Sequence, residues 1–350
     1  MAKVLAVVGA QFGSEGKGVV VHKIATSEHF DFHVRTGGPN AGHSFVHGQR
    51  QYVVQSVPCG FVDVTSSLVL GAGAVINPRT LRREVESLEA LGYDIRSRLY
   101  IDHNATVLTE EDEQAEGHTH GEIHRRIGST GEGVGAARLR RLSRRQSDRV
   151  LVSQRSDEFY GFTICDTVPL LNASGVSILL EGTQGSGLSV THGPWPYCTS
   201  ADTNAAQFCA DAGISPLAVT DVVLVARTFP IRVAGNSGPL KGERSWSDIS
   251  SELGRIVEER TTVTKKVRRV GEWDDELFAR AVMLNRPTAV AVTFLDYLDP
   301  RDSFVTSVHD LSVSSLAFLS LIESQFNVKV KYAGTGVDPE KGWTCVEFNV

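Results

Sequence analysis

The chain has 350 residues, 41 % of them hydrophobic and 22 % charged, a balance that allows a sizeable buried core. A formal charge of −6 argues against general nucleic-acid binding, and five scattered cysteines without a CxxC pair suggest neither a disulfide framework nor a zinc site. Met1-Ala2-Lys3 passes directly into an apolar run with no signal peptide, and no stretch is long enough to span a bilayer, so a cytoplasmic, soluble protein acting on small anionic ligands is expected.

Val4 to Val8 reads as a buried strand that enters Gly9-Ala10-Gln11-Phe12-Gly13-Ser14-Glu15-Gly16-Lys17-Gly18 and then a helix from Val19 to about Thr26. Such a turn can aim backbone N–H groups and a helix N-terminus at a phosphate, with Lys17 adding a mobile positive charge. It is not a Walker A loop: six residues separate Gly9 from Gly16, and Gly18 follows Lys17 where Ser or Thr would bind Mg²⁺. Within the loop, Ser14 and Glu15 are the nearest alternative metal ligands. After a short strand from Phe32 to Arg35, Thr36-Gly37-Gly38-Pro39-Asn40-Ala41-Gly42-His43-Ser44 forms a second glycine-rich loop, and two such loops so close suggest one site.

Tyr52 to Phe61 and Ser67 to Leu70 are predicted strands. Asn77 is placed to cap a helix that starts at Pro78, with Leu81, Val85, Leu88 and Leu91 on one face and Gly92 as the stop. Leu99 to Asp102 is another strand, followed by an acidic stretch in which His118, His120 and His124 lack a second cluster at zinc-like spacing, so no metal is expected there. A third glycine-rich loop, Ile127 to Gly135, carries Ser129 and Thr130 and leads into Arg138-Leu139-Arg140-Arg141-Leu142-Ser143-Arg144-Arg145, which together suggest a second phosphate site.

Ser177 to Leu180 is an apolar strand ending in Glu181-Gly182-Thr183-Gln184-Gly185, where open α/β sheets place ligands, and Tyr197-Cys198-Thr199-Ser200 follows. Asp221 to Ala226 and Ala289 to Leu295 are predicted buried strands, the second ending in Asp296. The basic loop Thr261 to Gly271 between them suits carboxylate or phosphate recognition. An apolar helix over Leu311 to Phe326, a strand at Val328 to Val330 and a ligand-type turn at Gly334-Thr335-Gly336 complete the chain. Strands alternate with helices without a composition break, which predicts an α/β fold with a central, mostly parallel sheet and one domain over residues 1–350.

Five of these segments, in this order, resemble the adenylosuccinate synthetase family: Gly13-Ser14-Glu15-Gly16-Lys17-Gly18 its GDEGKG loop, Asn40-Ala41-Gly42-His43 its NAGH motif, Gly128-Ser129-Thr130-Gly131 its GTTG loop, Glu181 to Gly185 its EGAQG segment and Tyr197 to Ser200 its YVTS turn. The resemblance implies a P-loop-NTPase-like fold, a homodimer, Mg²⁺ and a two-step ligase reaction. In that reaction a nucleoside triphosphate phosphorylates O6 of a purine monophosphate, and the amine of L-aspartate then displaces the phosphate. It implies that Gly13, Glu15, Gly16, Lys17, Gly18, Gly42, His43 and Ser44 hold the triphosphate, with Asp296, Gly334 and Gly336 at its base. Ser14, Lys17 and His43 would be catalytic, and Ser14 and the Gly42 carbonyl would hold Mg²⁺. Ser14, Asn40, Ser129, Thr130, Gln184 and Thr199 would bind the monophosphate, with Arg144 reaching it from the other subunit, and Thr264, Lys266, Arg268 and Arg269 would bind aspartate.

Three departures redirect the substrate. The family's aspartate that takes the purine N1 proton is here Ser14, which leaves room and hydrogen-bonding capacity for a 2-amino group; Lys266 stands where the family has an arginine that also reaches the ribose; and the guanine-reading Lys-Leu-Asp is Phe294-Leu295-Asp296, whose Phe294 can stack on adenine. These features resemble the phage branch of the family, which acts on dGMP with ATP or dATP on the way to 2-aminoadenine DNA. The alternatives are IMP with GTP, as in the ordinary branch, and a non-catalytic nucleotide-binding protein.

Overall fold

The computed structural model describes residues 3–117, 121–261, 265–338 and 340–349, with His124 described for its backbone only. Its centre is the strand Lys3–Gly9, whose alternating side chains serve two cores: Leu5 and Val7 enter one apolar cluster and Val4, Ala6 and Val8 the other. Burial on both faces is what a parallel sheet covered by helices requires. Around it the described residues form a ten-stranded sheet, in the order Gly342–Glu347, Val330–Asp338, Ala289–Thr293, Val219–Arg227, Lys3–Gly9, Ser177–Glu181, Phe32–Arg35, Ser67–Leu70, Leu99–Asp102, Thr163–Cys165. Every adjacent pair is parallel except the last hairpin, Val330–Asp338 with Gly342–Glu347.

Helices Lys17–Ser27 and Pro78–Glu89 cover one face through Val20, Val21, Ile24, Leu81, Val85 and Leu88. Ala205–Ala212, Asp275–Asn285 and Val313–Phe326 cover the other through Phe208, Phe278, Ala281, Leu319 and Ile322. Each of these side chains except that of Ala281 contributes about 1.5–3 kcal/mol on burial. Asn77 caps its helix as the sequence implies, accepting from the amides of Arg79 and Thr80 at 3.1 and 3.2 Å, but the helix stops at Glu89 and leaves Leu91 beyond it, 40 % exposed. Among the described residues no helix is long and apolar enough to cross a membrane.

Two local predictions are corrected. In place of one strand from Tyr52 to Phe61, a hairpin pairs His43–His47 with Arg50–Val54, and Cys59–Val62 is a 3₁₀ turn. The reason is Glu84, whose carboxylate takes the amides of Gln55 at 2.9 Å and Val57 at 2.7 Å, so these donors are not available to a ladder. Gly334-Thr335-Gly336 is not a turn but lies inside the strand Val330–Asp338, with a register irregularity between the glycines. Gly334 lies so close under Trp343 that a Cβ there would come within 2.8 Å of the indole.

Candidate active site

The central strand ends in the first glycine-rich loop, at the C-terminal edge of the sheet that its parallel neighbours Ser177–Glu181 and Val219–Arg227 share, the side on which open α/β sheets bind ligands. The loop turns through left-handed backbone at Gly13, Ser14 and Gly16, with φ of 86°, 59° and 87°. Its shape is set from inside by Glu15, fully buried, whose Oε1 accepts from the amides of Gln11 at 3.0 Å and Gly13 at 2.8 Å. Oε2 meets the Lys17 ammonium at 2.5 Å, which fixes the lysine at the first residue of the helix. No side chain caps that helix, so its N-terminus keeps the donor character that suits a phosphate.

His43 opens the strand after the second loop and is buried against the sheet, with Nδ1 2.5 Å from Glu181 Oε1. Arg35, fully buried at the end of its strand, ion-pairs with the same Glu181 oxygen and donates to the carbonyl of Ala41, tying the second loop to the sheet. Glu181 Oε2 accepts from the Cys59 amide at 2.7 Å. Burial pushes the Glu181 carboxyl up, but Arg35 and His43 outweigh it and hold it at about 2. Burial and the neighbouring Arg35 push His43 down to about 4, against the pull of Glu181. An ionised carboxylate can only accept, so Nδ1 carries the imidazole proton and Nε2 is the nitrogen left for a ligand. His43, Cys59 and Glu181 are close enough to suggest a metal centre, but a guanidinium on the carboxylate and a thiol pushed well up by burial make it a hydrogen-bonded network.

Ser14 is exposed at the rim and lies between two arginines. Its hydroxyl accepts from Arg268 and its carbonyl from Arg227 at 3.1 Å. Arg227 is itself ion-paired with Glu259. The basic loop thus reaches the glycine-rich loop through Arg268, whereas Arg269 is held back by Glu243, with further bonds to Ser237 at 3.2 Å and the carbonyl of Gly238 at 2.8 Å. Lys266 is exposed, its amide bonded to the Thr261 hydroxyl at 3.0 Å, and Thr264 lies outside the described residues, as do His118 and His120.

Beside the loop, Asn40, Gln184 and Thr199 line one pocket with Thr36, Arg138 and Asp211. Gln184 packs against Gly13, where a Cβ would lie 3.7 Å from its Cα, so this pocket adjoins Ser14. The Gln184 Oε1, the Thr36 hydroxyl and the Arg138 Nε are buried there without hydrogen-bond partners. Polar atoms left unpaired in a pocket cost free energy that a polar ligand recovers. Ser129 and Thr130 do not line it; Ser129 accepts from the Gly131 amide at 3.2 Å. Arg144 ends its helix with φ of 55° and points away into solvent, flanked by Leu139 and Leu142, exposed by 71 % and 72 %.

On the other side of the loop, Asp296 is buried and ion-paired with Arg255 at 2.6 Å, while its Oδ1 has no partner; burial pushes its carboxyl up against the pull of Arg255. Gly336 lies against it, where a Cβ would come within 3.6 Å of the Asp296 carboxyl. Phe294, read as a stacking platform, has the Arg227 guanidinium 3.9 Å from its ring centroid, so one face is already covered. Arg35, Arg227 and Arg255 were not singled out in the sequence, and Arg138 only as part of the arginine run; Arg35 and Arg227 carried one signal, a charge ending an apolar strand.

The sequence model described as adenylosuccinate synthetase matches residues 6–160 and 154–304 of the chain. The adenylosuccinate synthetase of Methanococcus maripaludis strain C6 is 36 % identical over 342 residues, 97 % of each chain. That of Pyrococcus horikoshii is 34 % identical over 335 residues, 95 % of this chain and 96 % of the other. Among solved structures, the cyanophage S-2L succinoaminodeoxyadenylate synthetase, bound to dGMP and to dATP as an energy donor, superposes with a TM-score of 0.81 at 28 % identity, covering 98 % of this chain and 95 % of that one. The fully ligated adenylosuccinate synthetase of Plasmodium falciparum has the same fold, with a TM-score of 0.83 at 21 % identity over 99 % and 100 % of the two chains.

Proposed function

Because the chain belongs to the adenylosuccinate synthetase family of carbon–nitrogen ligases, we propose that it joins L-aspartate to C6 of dGMP with ATP or dATP, giving N6-succino-2-amino-2′-deoxyadenylate for the 2-aminoadenine DNA of a phage. The observation that carries this reading is Ser14. At the loop position next to Gln184 it presents a neutral hydroxyl that accepts from Arg268, so the purine edge bearing the 2-amino group meets no carboxylate. The cyanophage structure with dGMP and dATP supports the same choice, while the higher identity of the archaeal synthetases favours the second reading, IMP with GTP.

In the proposed reaction guanine N1 gives up its proton to solvent as O6 attacks the γ-phosphorus and the nucleoside diphosphate leaves; the aspartate amine, losing its protons, then attacks C6 and expels O6 as phosphate. Lys17, aimed by Glu15, and the uncapped helix behind it would hold the triphosphate. His43, oriented through Nδ1 by Glu181, would present Nε2 to O6 and the phosphoryl group, where bound anions raise its proton affinity and let it donate. Arg268 would hold the aspartate carboxylate. Asp296 keeps a single unpartnered oxygen, which suits the one amino group of adenine better than the two donors of guanine.

Ser14 and the Gly42 carbonyl offer only neutral oxygens, because Glu15 is spent on the loop and Lys17. That donor set fits Mg²⁺ carried largely by the nucleotide's own phosphates, which the ion would shield from one another. The exposed leucines beside Arg144 support a homodimer in which Arg144 reaches the neighbouring monophosphate.

Incubation with Mg²⁺, ATP, L-aspartate and either dGMP or IMP tests the reading. Aspartate-dependent phosphate release with dGMP is expected; release with IMP alone would establish the second reading, and triphosphate binding without release would leave a binding protein.

A further inference from the structure

The arginine-rich helix Val134–Ser143 buries Val134 and Ala137 in a small apolar cluster with Val75 and Leu108, and Arg138 and Arg141 continue that face at the i+4 and i+7 positions from Val134. The other arginines of the helix are accounted for. Arg140 is bound by Asp112, at 2.7 and 3.0 Å, and by the Val107 carbonyl; Arg141 donates to Thr106 at 2.8 Å and to the Asn104 carbonyl. Arg138 differs from both. It lines the pocket of Asn40, Gln184 and Thr199, its Nε is buried without a partner, and among the described residues it has no ion pair. Asp211 faces it from across the pocket but is itself held by Gln207 at 2.8 Å.

We propose that Arg138 is a phosphate-binding residue of its own subunit, which anchors the 5′-phosphate of the purine monophosphate and makes the pocket select nucleotides over nucleosides. This rests on the ligase reading only in taking a purine monophosphate as the ligand. A guanidinium at an inward helical position, desolvated, with its Nε unpartnered and no carboxylate in direct ion-pair contact among the described residues, is unfavourable in the free protein. A phosphate dianion removes the penalty, since it supplies the acceptor geometry a guanidinium fork matches. Burial pushes the Arg138 guanidinium down from its ordinary range, and the pull of Asp211 from across the pocket does not offset it. The wall also holds neutral donors, the Asn40 amide and the hydroxyls of Thr36 and Thr199, and two carboxylates, Asp202, bound by Ser189 and Thr191, and Asp211, bound by Gln207, so Arg138 is, among the described residues, the one cationic side chain lining it.

The test compares the wild-type protein with Arg138→Met and Arg138→Lys by calorimetric titration with dGMP, IMP, deoxyguanosine and inorganic phosphate, with thermal melts of each. The methionine variant should bind the monophosphate about 10- to 100-fold more weakly, with deoxyguanosine and ATP binding unchanged, and the lysine variant should recover part of the loss. Monophosphate should raise the melting temperature of the wild type and not of the methionine variant. In turnover the change should fall on KM for the monophosphate far more than on kcat. Equal losses for nucleotide and nucleoside, or methionine-variant binding within twofold of wild type, would overturn the proposal. Arg138-dependent phosphate binding in a protein that turns over neither dGMP nor IMP would sustain it and defeat the ligase reading.

Discussion

Replacing Glu181 with glutamine removes one negative charge from the point where Arg35, His43 and Cys59 converge. The fall of its carboxyl from an ordinary 4.5 to about 2 corresponds to about 3 kcal/mol of native stability, fully present above pH 4.5 and lost as pH falls toward 2. The amide also leaves Arg35 as a buried cation without its partner, and breaking a buried pair costs about 3–5 kcal/mol. These describe one interaction, so Glu181→Gln should lower unfolding free energy at pH 7 by about 3 kcal/mol. His43 adds a separate step: with its pKa lowered from 6.5 to about 4, its contribution is complete above pH 6.5 and lost as pH falls through 4, because the unfolded chain takes up the proton first. Urea denaturation followed by circular dichroism at pH 7, 5.5, 4 and 2.5 measures both. The wild type should weaken steadily over that range, and the variant should keep the His43 step while losing the carboxylate step below pH 4.5. Because the imidazole is no longer held in one tautomer, kcat should fall about 10- to 100-fold with little change in KM. A variant within 1 kcal/mol of wild type, or wild-type stability flat from pH 7 to 4, would refute the reasoning.

Ser14→Asp places a carboxylate against Arg268, which should draw that guanidinium away from the aspartate substrate and crowd the 2-amino group; dGMP turnover should fall about 100-fold while IMP turnover holds or rises, and equal dGMP rates in the two proteins would show that Ser14 does not select the base. Lys17→Met should cost at least about 100-fold in kcat/KM for the triphosphate and lower the melting temperature as well, since Glu15 is left buried and unpaired. Mixed with an Arg144→Ala protein, itself weak, the Lys17→Met protein should restore about a quarter of wild-type activity if subunits exchange and share sites; no recovery would place Arg144 outside the neighbouring site.

Much of this fold is legible in the sequence because its strands are short, largely apolar and bounded by polar residues or glycine. Phe32–Arg35, Ser67–Leu70 and Leu99–Asp102 lie where predicted, and Asn77 caps its helix for the reason its amide oxygen suggests. What failed was decided by partners distant in sequence. Tyr52 to Phe61 reads as a strand until Glu84, on a later helix, takes its amides. The Gly334 turn is a strand because the chain's final segment, Gly342–Glu347, pairs with it.

The site divides in the same way. The first two loops announce themselves through glycine spacing, but the groups that orient them are single charges in otherwise apolar strands or helices: Arg35 and Glu181 behind His43, and Arg227 behind Ser14. Local patterning gives such residues no partner, and only the fold supplies one. Arg269 is the converse, a loop arginine that reads as free and is held by Glu243.

The most direct measurement follows the oxygen. The protein is incubated with Mg²⁺, ATP, L-aspartate and dGMP carrying ¹⁸O at O6, and phosphate and nucleotide are analysed by mass spectrometry. If the chain phosphorylates O6 of dGMP and exchanges it for the aspartate amine, the label leaves in inorganic phosphate and the succinylated 2-amino nucleotide contains none. Unlabelled phosphate, or label retained in the nucleotide while IMP is converted under the same conditions, would contradict the account.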